Sequence, residues 1–395
     1  MSAGTECYLG AVRGQYTLLD DYMAALNETS SSWEAPPEST GRGLVMMLFA
    51  TVQAFVLAFP DLPLLVLPTC INLLVGLLVW TNCKRLAMCA ATAGLPLPYL
   101  LAFAFRSTYI HAGFSLSLFL GAWKACDLCA GTAPPHVLSS RFALAVHMAI
   151  PVETAAVGCD RRKWVPRALV QLALVGAGVA GLESLTALQG AALLPEWPAL
   201  LAPAIELWCD CWRVYWMLQL PMSACQLCLA LLGFTPQVCF RNPLLLSSSP
   251  ADFWGRRWNL LIHGLFKRTV FKPLRARGVP AHAAAVSAFL VSGLFHEYAF
   301  LGPVAARPKA GYMLVFFLSQ APLVTAEKAL AALLAPAWLR DALGRSPRLC
   351  TVLTTALIVP LAPCFMAPLH ASGILLELGR VVPTSLLTST CAAAP

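Results

Sequence analysis

Long runs of apolar residues recur along the chain, and most approach the length that crosses a lipid bilayer. A membrane-spanning helix needs about 20 mostly apolar residues, with a range of about 17–25. Only 12% of the 395 residues are charged, whereas soluble proteins average about 25%. The chain is therefore predicted to be an all-α polytopic membrane protein rather than two or three soluble domains.

The apolar runs differ in length and regularity. They are Gly43–Phe59, Leu62–Trp80, Leu86–Phe105, Ala112–Ala125, Phe142–Val157, Ala168–Leu188, Leu200–Leu220, Met222–Phe234, His282–Leu301, Tyr312–Leu334, Cys350–Leu369 and Ile374–Leu387. Pro221 leaves open whether the runs beside it form one kinked helix or two. With the doubtful runs merged or discounted, we expect about 8–10 transmembrane helices. Broken helices are tolerated where they line a protein-enclosed cavity, so the bundle is predicted to enclose one.

The first 42 residues differ from the rest of the chain because they are polar and rich in acidic side chains. A cleavable signal peptide would begin basic and then turn apolar, so none is expected here. Residues 1–42 are predicted to form a flexible extension, and residues 43–390 are predicted to form a single membrane domain.

Basic residues are concentrated in one stretch of the second half of the chain. Between Phe240 and Gly278 there are eight of them, against the single acidic residue Asp252. Nucleic-acid binding would also use such a cluster, but the apolar surroundings argue against it. Basic segments beside spanning helices usually mark the cytoplasmic side, and they attract anionic lipid head groups or phosphorylated ligands.

The sequence "DFWGRRWN", residues 252–259, stands within this basic stretch. Trp254, Trp258, Leu261 and Leu265 follow one another at spacings of four, three and four, which places them on one face of a helix. A basic helix with tryptophan on its apolar face is predicted to lie in the membrane interface. Ser249 is predicted to cap the start of this helix.

The polar residues of this motif have more than one interpretation. The amide of Asn259 can donate to a developing oxyanion or hold a carbonyl group, and hydrogen bonding on a helix surface is the alternative. For Arg256 and Arg257, the charge pattern alone favours contact with lipid head groups.

His296 lies inside the apolar run "FLVSGLFHEYAFL". Ionisable residues within spanning helices usually face a cavity and serve a function, and a hydrogen bond to a neighbouring helix is the alternative. Ser292, four residues earlier, shares the face of His296. Glu297 lies about 100° away around an ideal helix. We therefore expect His296 to face a cavity.

Metal catalysis is not expected from this sequence. The histidines show neither H-x-x-x-H nor H-E-x-x-H spacing. The pairs "CDLC" and "CQLC" have the spacing of zinc or redox sites, but the second lies in an apolar segment with no histidine nearby. Buried cysteine is an ordinary small apolar residue, and we interpret both pairs in that way.

Together these features suit an acyl-transfer reaction. A histidine with a pKa near neutrality can accept a proton from a hydroxyl group. An apolar cavity suits a lipid alcohol, and a basic rim suits the phosphates of an acyl-CoA thioester. A proton-relaying lipid transporter is the alternative from another class of protein. The sequence lacks the internal repeat that many transporters have, which disfavours this alternative.

The block "NPLLLSSSPADFWGRRWNLLIHGLFKRTVFKPLRARG", followed by "AFLVSGLFHEYAFL", closely resembles the plant and algal wax synthases. These long-chain-alcohol O-fatty-acyltransferases are a branch of the membrane-bound O-acyltransferase superfamily. The resemblance implies transfer of a fatty acyl group from CoA to a long-chain alcohol, and the expected location is the endoplasmic reticulum membrane. The polar segment to Arg42 is longer than expected of this branch, which leaves another organelle open. It implies no cofactor besides acyl-CoA as co-substrate. The expected partners are acyl-CoA, a lipid alcohol and membrane lipids, and no nucleic acid.

The resemblance also implies roles for individual residues. His296 is expected to be the general base on the acceptor hydroxyl, and Asn259 is expected to position or polarise the acyl thioester. Both are therefore expected to face one enclosed cavity. The further residues expected to bind substrate are Trp254, Arg256, Arg257, Trp258, Ser292 and Glu297. Because "FHEY" is also similar to the corresponding stretch of diacylglycerol and sterol acyltransferases, the acceptor is open between a fatty alcohol, a sterol and a diacylglycerol.

Overall fold

Helices make up almost all of the regular structure in this computed structural model, which describes residues 61–190, 201–301, 310–334 and 346–379. All of these residues lie in one compact unit, Thr51–Pro395. The predicted extension 1–42 and the predicted span Gly43–Phe59 lie outside the described residues. The run Ile374–Leu387 is described only as far as Gly379.

The helices follow one another with short connections. The first part of the chain contains α1 (Val66–Trp80), α2 (Lys84–Gly94), α3 (Leu97–Leu100), α4 (Thr108–Cys129), α5 (Arg141–Ala149), α6 (Arg161–Gly190) and α7 (Ala202–Leu231). The second part contains α8 (Pro243–Leu246), α9 (Pro250–Asp252), α10 (Leu260–Phe266), α11 (Lys272–Ala276), α12 (Ala281–Leu301), α13 (Tyr312–Leu334), α14 (Pro347–Ile358), α15 (Ala362–Ser372) and α16 (Ile374–Gly379).

Shorter elements complete the described fold. The strands β1 (Thr154–Val157) and β2 (Phe234–Pro236) form an antiparallel pair. The 3₁₀ turns are Leu62–Leu65, Ala102–Ala104, Pro135–Leu138 and Val359–Leu361. π-Helical turns occupy Phe253–Arg257 and Lys267–Phe271, on either side of α10.

Five helical segments within the described residues are long and apolar enough to cross a membrane. They are Leu62–Trp80, Arg161–Thr186, Ala202–Leu231, Ala281–Phe300 and Pro347–Ser372, and Tyr312–Thr325 is a shorter apolar helix. This pattern confirms the predicted all-α membrane fold, and the protein is an integral membrane protein. The long α7 also resolves one open alternative, because the chain runs through Pro221 as a single helix.

Two of the predicted spans are wrong. The run from Leu86 to Phe105 ends as a helix at Gly94, and the prolines at 96 and 98 begin the short α3 instead. The run from Phe142 to Val157 is helical only to Ala149, because Ile150 takes an extended conformation before Pro151. The residue before a proline is disfavoured in the α region, which explains the early end of this helix.

Buried charges hold the loop between α5 and β1. The Arg268 guanidinium lies 2.9 Å from Asp127 Oδ2 on α4 and 2.6 Å from Glu153 Oε1 on the loop. The Lys124 ammonium is fully buried and donates to the carbonyl oxygens of His147 and Ile150, each at 2.7 Å. Buried charges are tolerated when they are paired and hydrogen-bonded, as they are here. The loop they hold forms part of the cavity wall described below.

The helices α12 and α13 approach each other closely at Gly293. A Cβ atom on this residue would lie 2.7 Å from Leu314 Cδ1 and 2.9 Å from Leu314 Cα, closer than real Cβ atoms come. Glycine is therefore required for the observed backbone separation. The close approach brings the aromatic side chains of α13 against the next turn of α12, where His296 is located.

A carboxylate from the last described helix holds the start of α4. Glu377 accepts hydrogen bonds from Ser107 Oγ at 2.6 Å, from the Thr108 backbone N–H at 2.9 Å and from the Tyr109 backbone N–H at 3.0 Å. The first backbone N–H groups of a helix lack partners within the helix, and an acidic side chain there is favourable. Glu377 therefore fastens α16 to α4.

Candidate active site

A largely apolar cavity of about 720 Å³ lies among the helices. Residues of α1, α4, α5, α7, α8, α12, α13, α14 and α15 line it, together with the loop between α5 and β1 and the segment around α10. Along α12 the lining extends from Ala285 to Phe300, which corresponds to about 22 Å at a rise of about 1.5 Å per residue. The volume is within the range of about 300–1,000 Å³ that is typical of small-molecule sites.

His296 and Asn259 both line this cavity, as predicted. His296 Nδ1 lies 2.7 Å from the carbonyl oxygen of Ser292, one turn earlier on α12. Because a carbonyl oxygen can only accept a hydrogen bond, Nδ1 carries the proton and Nε2 of the neutral ring carries the lone pair. Among the described residues Nε2 has no hydrogen-bond partner. The ring is therefore held in the tautomer that can accept a proton.

Three phenyl rings surround the imidazole of His296. Phe317 stacks on it with a centroid separation of 4.3 Å and an interplanar angle of 28°. Phe295 and Phe365 stand edge-to-face to it, with centroid separations of 4.8 Å and 5.6 Å. These rings come from α12, α13 and α15, so three helices fix the position of one side chain.

The backbone around Asn259 corrects the prediction of a single interfacial helix. The chain forms a π-helical turn to Arg257, extends at Trp258 and turns left-handed at Asn259, with φ of 39°. Left-handed backbone costs energy for most residues, but asparagine tolerates it. The predicted helix start is confirmed, since Ser249 Oγ accepts the Asp252 backbone N–H at 3.1 Å.

The break gives Asn259 a defined side-chain orientation. Its Oδ1 accepts the Ile262 backbone N–H at 3.4 Å and caps the N-terminus of α10. A backbone N–H can only donate, so the oxygen of the carboxamide must face the helix. The amide nitrogen is then on the other side, where it is free to donate, and among the described residues it has no partner.

Three other predicted substrate-binding residues, Trp254, Trp258 and Ser292, also line the cavity. Trp254 Nε1 donates to Gln320 Oε1 on α13 at 3.2 Å, which fixes the indole. The Ser292 hydroxyl has no hydrogen-bond partner among the described residues. The hydroxyl of Ser287, on the same helix, instead donates to the backbone carbonyl oxygen of Ala283, one turn earlier, at 2.9 Å. Ser292 therefore retains a polar group for a molecule in the cavity.

The remaining three predicted substrate-binding residues do not line the cavity. Arg256 is exposed on the outer side of the π-helical turn. Arg257 Nε lies 2.6 Å from Asp252 Oδ2. Glu297 Oε1 accepts the Leu314 backbone N–H at 3.1 Å, near the start of α13. A rotation of about 100° per residue turns Glu297 away from the cavity that His296 faces.

Among the described residues of the cavity lining, Lys267 carries a charge. Its side chain is also exposed, so a cation lies where the cavity wall meets the surface. His263 lines the cavity one turn earlier, and burial, together with the charge of Lys267, lowers its pKa below the usual value. His263 is thus neutral at neutral pH. Within the described residues, no group of three His, Cys, Asp or Glu side chains could hold a metal ion.

Sequence reasoning missed Phe317, Phe365 and Gln320. The two phenylalanines are apolar residues in apolar helices, and nothing in the sequence distinguishes them from lipid-facing ones. Gln320 could have been identified from the sequence, because it is a polar residue inside the apolar run of α13. In the structure it is fully buried.

Comparison with known proteins places the two motifs in one family segment. Residues 237–319 match the membrane bound O-acyl transferase family, and this segment contains both Asn259 and His296. The chain is 34% identical over 142 residues to a probable long-chain-alcohol O-fatty-acyltransferase 3 of Arabidopsis thaliana, which covers 34% of this chain and 40% of that protein.

Two further relatives match over shorter segments. The chain is 40% identical over 86 residues to a long-chain-alcohol O-fatty-acyltransferase of Simmondsia chinensis, covering 20% of this chain and 24% of that protein. It is 38% identical over 84 residues to acyl-CoA–sterol O-acyltransferase 1 of Arabidopsis thaliana, with the same two shares of 20% and 24%. The chain thus spans two fifths or less of the length of these relatives. The matches confirm the resemblance to the wax synthase branch.

Proposed function

We propose that this protein transfers a fatty acyl group from acyl-CoA to a long-chain alcohol and so forms a wax ester. Its candidate site lies in the segment that matches the membrane bound O-acyl transferase family. The observation that carries the proposal is that His296 and Asn259, from the two halves of the matched segment, line one largely apolar cavity. A lipid alcohol and an acyl chain are apolar over most of their length, which fits this lining. The names of two relatives, a probable long-chain-alcohol O-fatty-acyltransferase 3 and a long-chain-alcohol O-fatty-acyltransferase, support the same reaction.

The fixed tautomer of His296 supports its role as the general base. The hydroxyl oxygen of the alcohol attacks the thioester carbonyl carbon, and His296 Nε2 takes the hydroxyl proton as the new C–O bond forms. The C–S bond then breaks, and the protonated imidazole returns the proton to the leaving thiolate. The products are the ester and free CoA, and the imidazole is restored. The Ser292 carbonyl, bonded to Nδ1–H at 2.7 Å, stabilises the imidazolium that forms between the two steps.

Asn259 supplies a hydrogen-bond donor in the same cavity. Its Oδ1 is engaged by α10, so its amide nitrogen is the atom left to face the thioester carbonyl. A fixed donor of this kind stabilises the negative charge that develops on a carbonyl oxygen in acyl transfer. Lys267, which lines the cavity and is exposed, suits the phosphate groups of acyl-CoA. The reaction as written uses no cofactor besides acyl-CoA.

The same chemistry on a sterol is the second candidate. It is supported by the match to an acyl-CoA–sterol O-acyltransferase, which covers a segment of similar length. A diacylglycerol acceptor follows from the same mechanism. These candidates differ only in the acceptor, so one assay with several acceptors separates them.

The proposal is tested in microsomes that contain the protein, supplied with labelled fatty acyl-CoA and a mixture of fatty alcohol, sterol and diacylglycerol. We expect labelled wax ester as the main product. His296→Ala should lower its formation by roughly 10²–10⁴-fold, the usual contribution of a general base. His282→Ala is the matched control, because His282 is exposed on the same helix outside the cavity lining. Normal turnover by His296→Ala would refute the assigned base, and lipid movement without ester would favour a transporter.

The proposal includes a location in the endoplasmic reticulum membrane, which rests on the resemblance to the wax synthase branch. Co-localisation of a tagged full chain with a marker of that membrane tests it. Labelling of a different organelle would contradict this part of the proposal and leave the chemistry unaffected.

A further inference from the structure

The phenyl rings around His296 limit the space in which an acceptor can react. Three rings lie within 6 Å of the imidazole, measured between centroids, and they come from three different helices. They also contact other rings, since Phe365 lies 5.2 Å from Phe316 and 6.0 Å from Phe317. We call Phe295, Phe317 and Phe365 the phenyl collar. Interdigitated aromatic side chains of this kind cannot move independently of one another.

The cavity lining on α12 contains more small side chains before the collar than at the collar itself. Towards the start of this helix the lining residues are Ala285, Ala288, Phe289 and Ser292, and all of them except Phe289 have small side chains. Within one turn of Ser292 the lining changes to Phe295 and His296. The space beside the imidazole is thus bounded by aromatic side chains, whereas three of the four lining residues before it on α12 are small.

The reacting hydroxyl has a single approach to the base. Nδ1 of His296 is engaged by the Ser292 carbonyl, so the proton must be transferred to Nε2. A general base and the hydroxyl oxygen must come within about 2.6–3.2 Å of each other. The carbon that bears the hydroxyl is one bond further away, so it lies within the collar during the reaction. The substituents on that carbon are consequently the part of the acceptor that the collar contacts.

We propose that the phenyl collar selects unbranched primary alcohols and that Phe365 sets this limit, an inference that rests on the proposed function. In a primary alcohol the carbon that bears the hydroxyl has one carbon substituent, whereas in a sterol it has two, both held in a rigid ring. One extra methylene group in a tight pocket changes the rate by roughly 10–200-fold. A diacylglycerol has a primary hydroxyl but a branched neighbouring carbon, so its rate should lie between the other two.

Phe365 is the member of the collar that can be removed with least disturbance to the base. Phe317 is buried and stacks flat on the imidazole, so it fixes the ring. Phe295 is buried against Phe119, with a centroid separation of 4.7 Å, and belongs to the core. Phe365 lines the cavity, is only partly buried and meets His296 edge-to-face. Its truncation should enlarge the space around the carbon that bears the acceptor hydroxyl, while His296 remains stacked on Phe317.

Two isomeric alcohols test the inference without a change in chain length. They are straight-chain hexadecanol with its hydroxyl on the terminal carbon and the isomer with its hydroxyl on the second carbon. In microsomes containing the full chain, we expect the wild type to prefer the terminal alcohol by about tenfold or more. Phe365→Ala should reduce this preference to about threefold or less and raise the rate with a sterol, because the space for a second substituent is restored.

The control variant is Phe289→Ala, which removes the same side chain from the same cavity two turns before His296. Phe289 packs on Trp254, at a centroid separation of 5.9 Å, rather than on the imidazole. Its truncation should leave the preference between the two isomers as in the wild type. The measured quantity is the ratio of two rates in one membrane preparation, so a difference in expression between variants does not affect it.

Each outcome decides between the inference and its alternatives. Equal rates of the wild type with both isomers, or an unchanged preference in Phe365→Ala, would overturn the role of the collar. If Phe365→Ala does not accumulate as folded protein, Phe365→Leu decides, and its preference should be intermediate. A folded wild type that esterifies none of the acceptors contradicts the proposed function itself. This result differs from ester formation without selectivity, which contradicts only the inference.

Discussion

The two halves of the candidate site are built in opposite ways. His296 is on α12, an unbroken helix whose close contact with α13 depends on Gly293. Asn259 is at a break between a π-helical turn and α10, where the backbone is left-handed. The first side chain is oriented by a carbonyl of its own helix and by aromatic rings from α12, α13 and α15, and the second by its own backbone.

This difference has a consequence for substitutions. The position of His296 depends on rings from three helices, so it should be sensitive to packing changes at several distant positions. The position of Asn259 depends on its φ angle and on one cap hydrogen bond, so it should be sensitive mainly to changes at the residue itself and in the turn that precedes it. The predictions below test this contrast, beginning with the largest expected effect.

Replacement of Asn259 by aspartate separates its two functions. Aspartate also tolerates left-handed backbone and is a good helix cap, so Asn259→Asp should retain the bond to the Ile262 backbone N–H. It lacks the amide donor, so ester formation should fall by roughly 10²–10³-fold, as when an oxyanion donor is removed. Measurement of the acyl-transfer rate together with thermal stability in detergent checks this expectation.

A matched variant of Asn259 completes this test. Asn259→Ala loses both the donor and the cap, and alanine is strained at positive φ, so it should also lose about 1–2 kcal/mol of stability. If Asn259→Asp retains near wild-type activity, Asn259 is only a structural cap, and another group must act on the thioester.

The contrast also explains what the sequence could and could not predict. Hydropathy located the membrane-length helices, and the spacing from Ser292 to His296 located their shared face, because α12 is regular. The single interfacial helix from Trp254 to Leu265 was wrong, because helical periodicity contains no information about a backbone break. The arginines of "DFWGRRWN" were expected to bind substrate, but they do not line the cavity. They lie in the π-helical turn before the break, whose backbone the sequence did not predict.

The resemblance to known proteins contributed what the physical pattern could not. It directed attention to Asn259, for which composition and spacing alone left two interpretations open, a donor to a carbonyl group and a hydrogen bond on a helix surface. Neither approach identified Phe317 or Phe365, because their importance comes from contacts between helices that are distant in the sequence. A pattern within one helix cannot predict which aromatic side chain of another helix it will meet.

The turn before Asn259 should depend on the pair formed by Asp252 and Arg257. Asp252 Oδ2 lies 2.6 Å from Arg257 Nε and accepts the Ser248 backbone N–H at 3.0 Å. Asp252→Asn keeps the shape but removes the charge. It should cost about 1.5 kcal/mol, the low end for a hydrogen bond to a charged group, because Arg257 is partly exposed. Arg256→Gln is the control, because Arg256 is exposed, and its effect should be below about 0.5 kcal/mol.

The pH dependence of this pair has a definite sign. Burial of the Asp252 carboxyl opposes ionisation, but the Ser248 backbone N–H and the Arg257 guanidinium outweigh it and hold its pKa below the usual range. A carboxyl whose pKa is lowered by folding contributes stability above its unfolded pKa of about 3.9 and loses it as the pH falls. The stability difference between the wild type and Asp252→Asn should therefore be constant from about pH 5 to 8. A difference that changes within this range would contradict the assignment.

The smallest effect is expected for the substitution Glu297→Gln, immediately beside the proposed base. Its Oε1 accepts the Leu314 backbone N–H at 3.1 Å in the first turn of α13, where a negative charge is favourable. Glu297→Gln keeps an oxygen that can accept this bond. It should lose about 0.3–1 kcal/mol of stability, the range for a charge at a helix end, and should change the rate of ester formation by less than about twofold.

Glu297→Ala distinguishes a structural role for this residue from a catalytic one. It removes the acceptor and leaves the Leu314 N–H without its partner, so it should cost about 1–3 kcal/mol of stability. The rate per folded molecule should nevertheless remain near that of the wild type, because His296 takes its orientation from the Ser292 carbonyl and the phenyl collar. If Glu297→Gln lowered kcat tenfold at unchanged stability, Glu297 would act on the reaction itself. The two adjacent residues would then serve one site from different faces of α12, and regular helical geometry alone would no longer account for that half of the site.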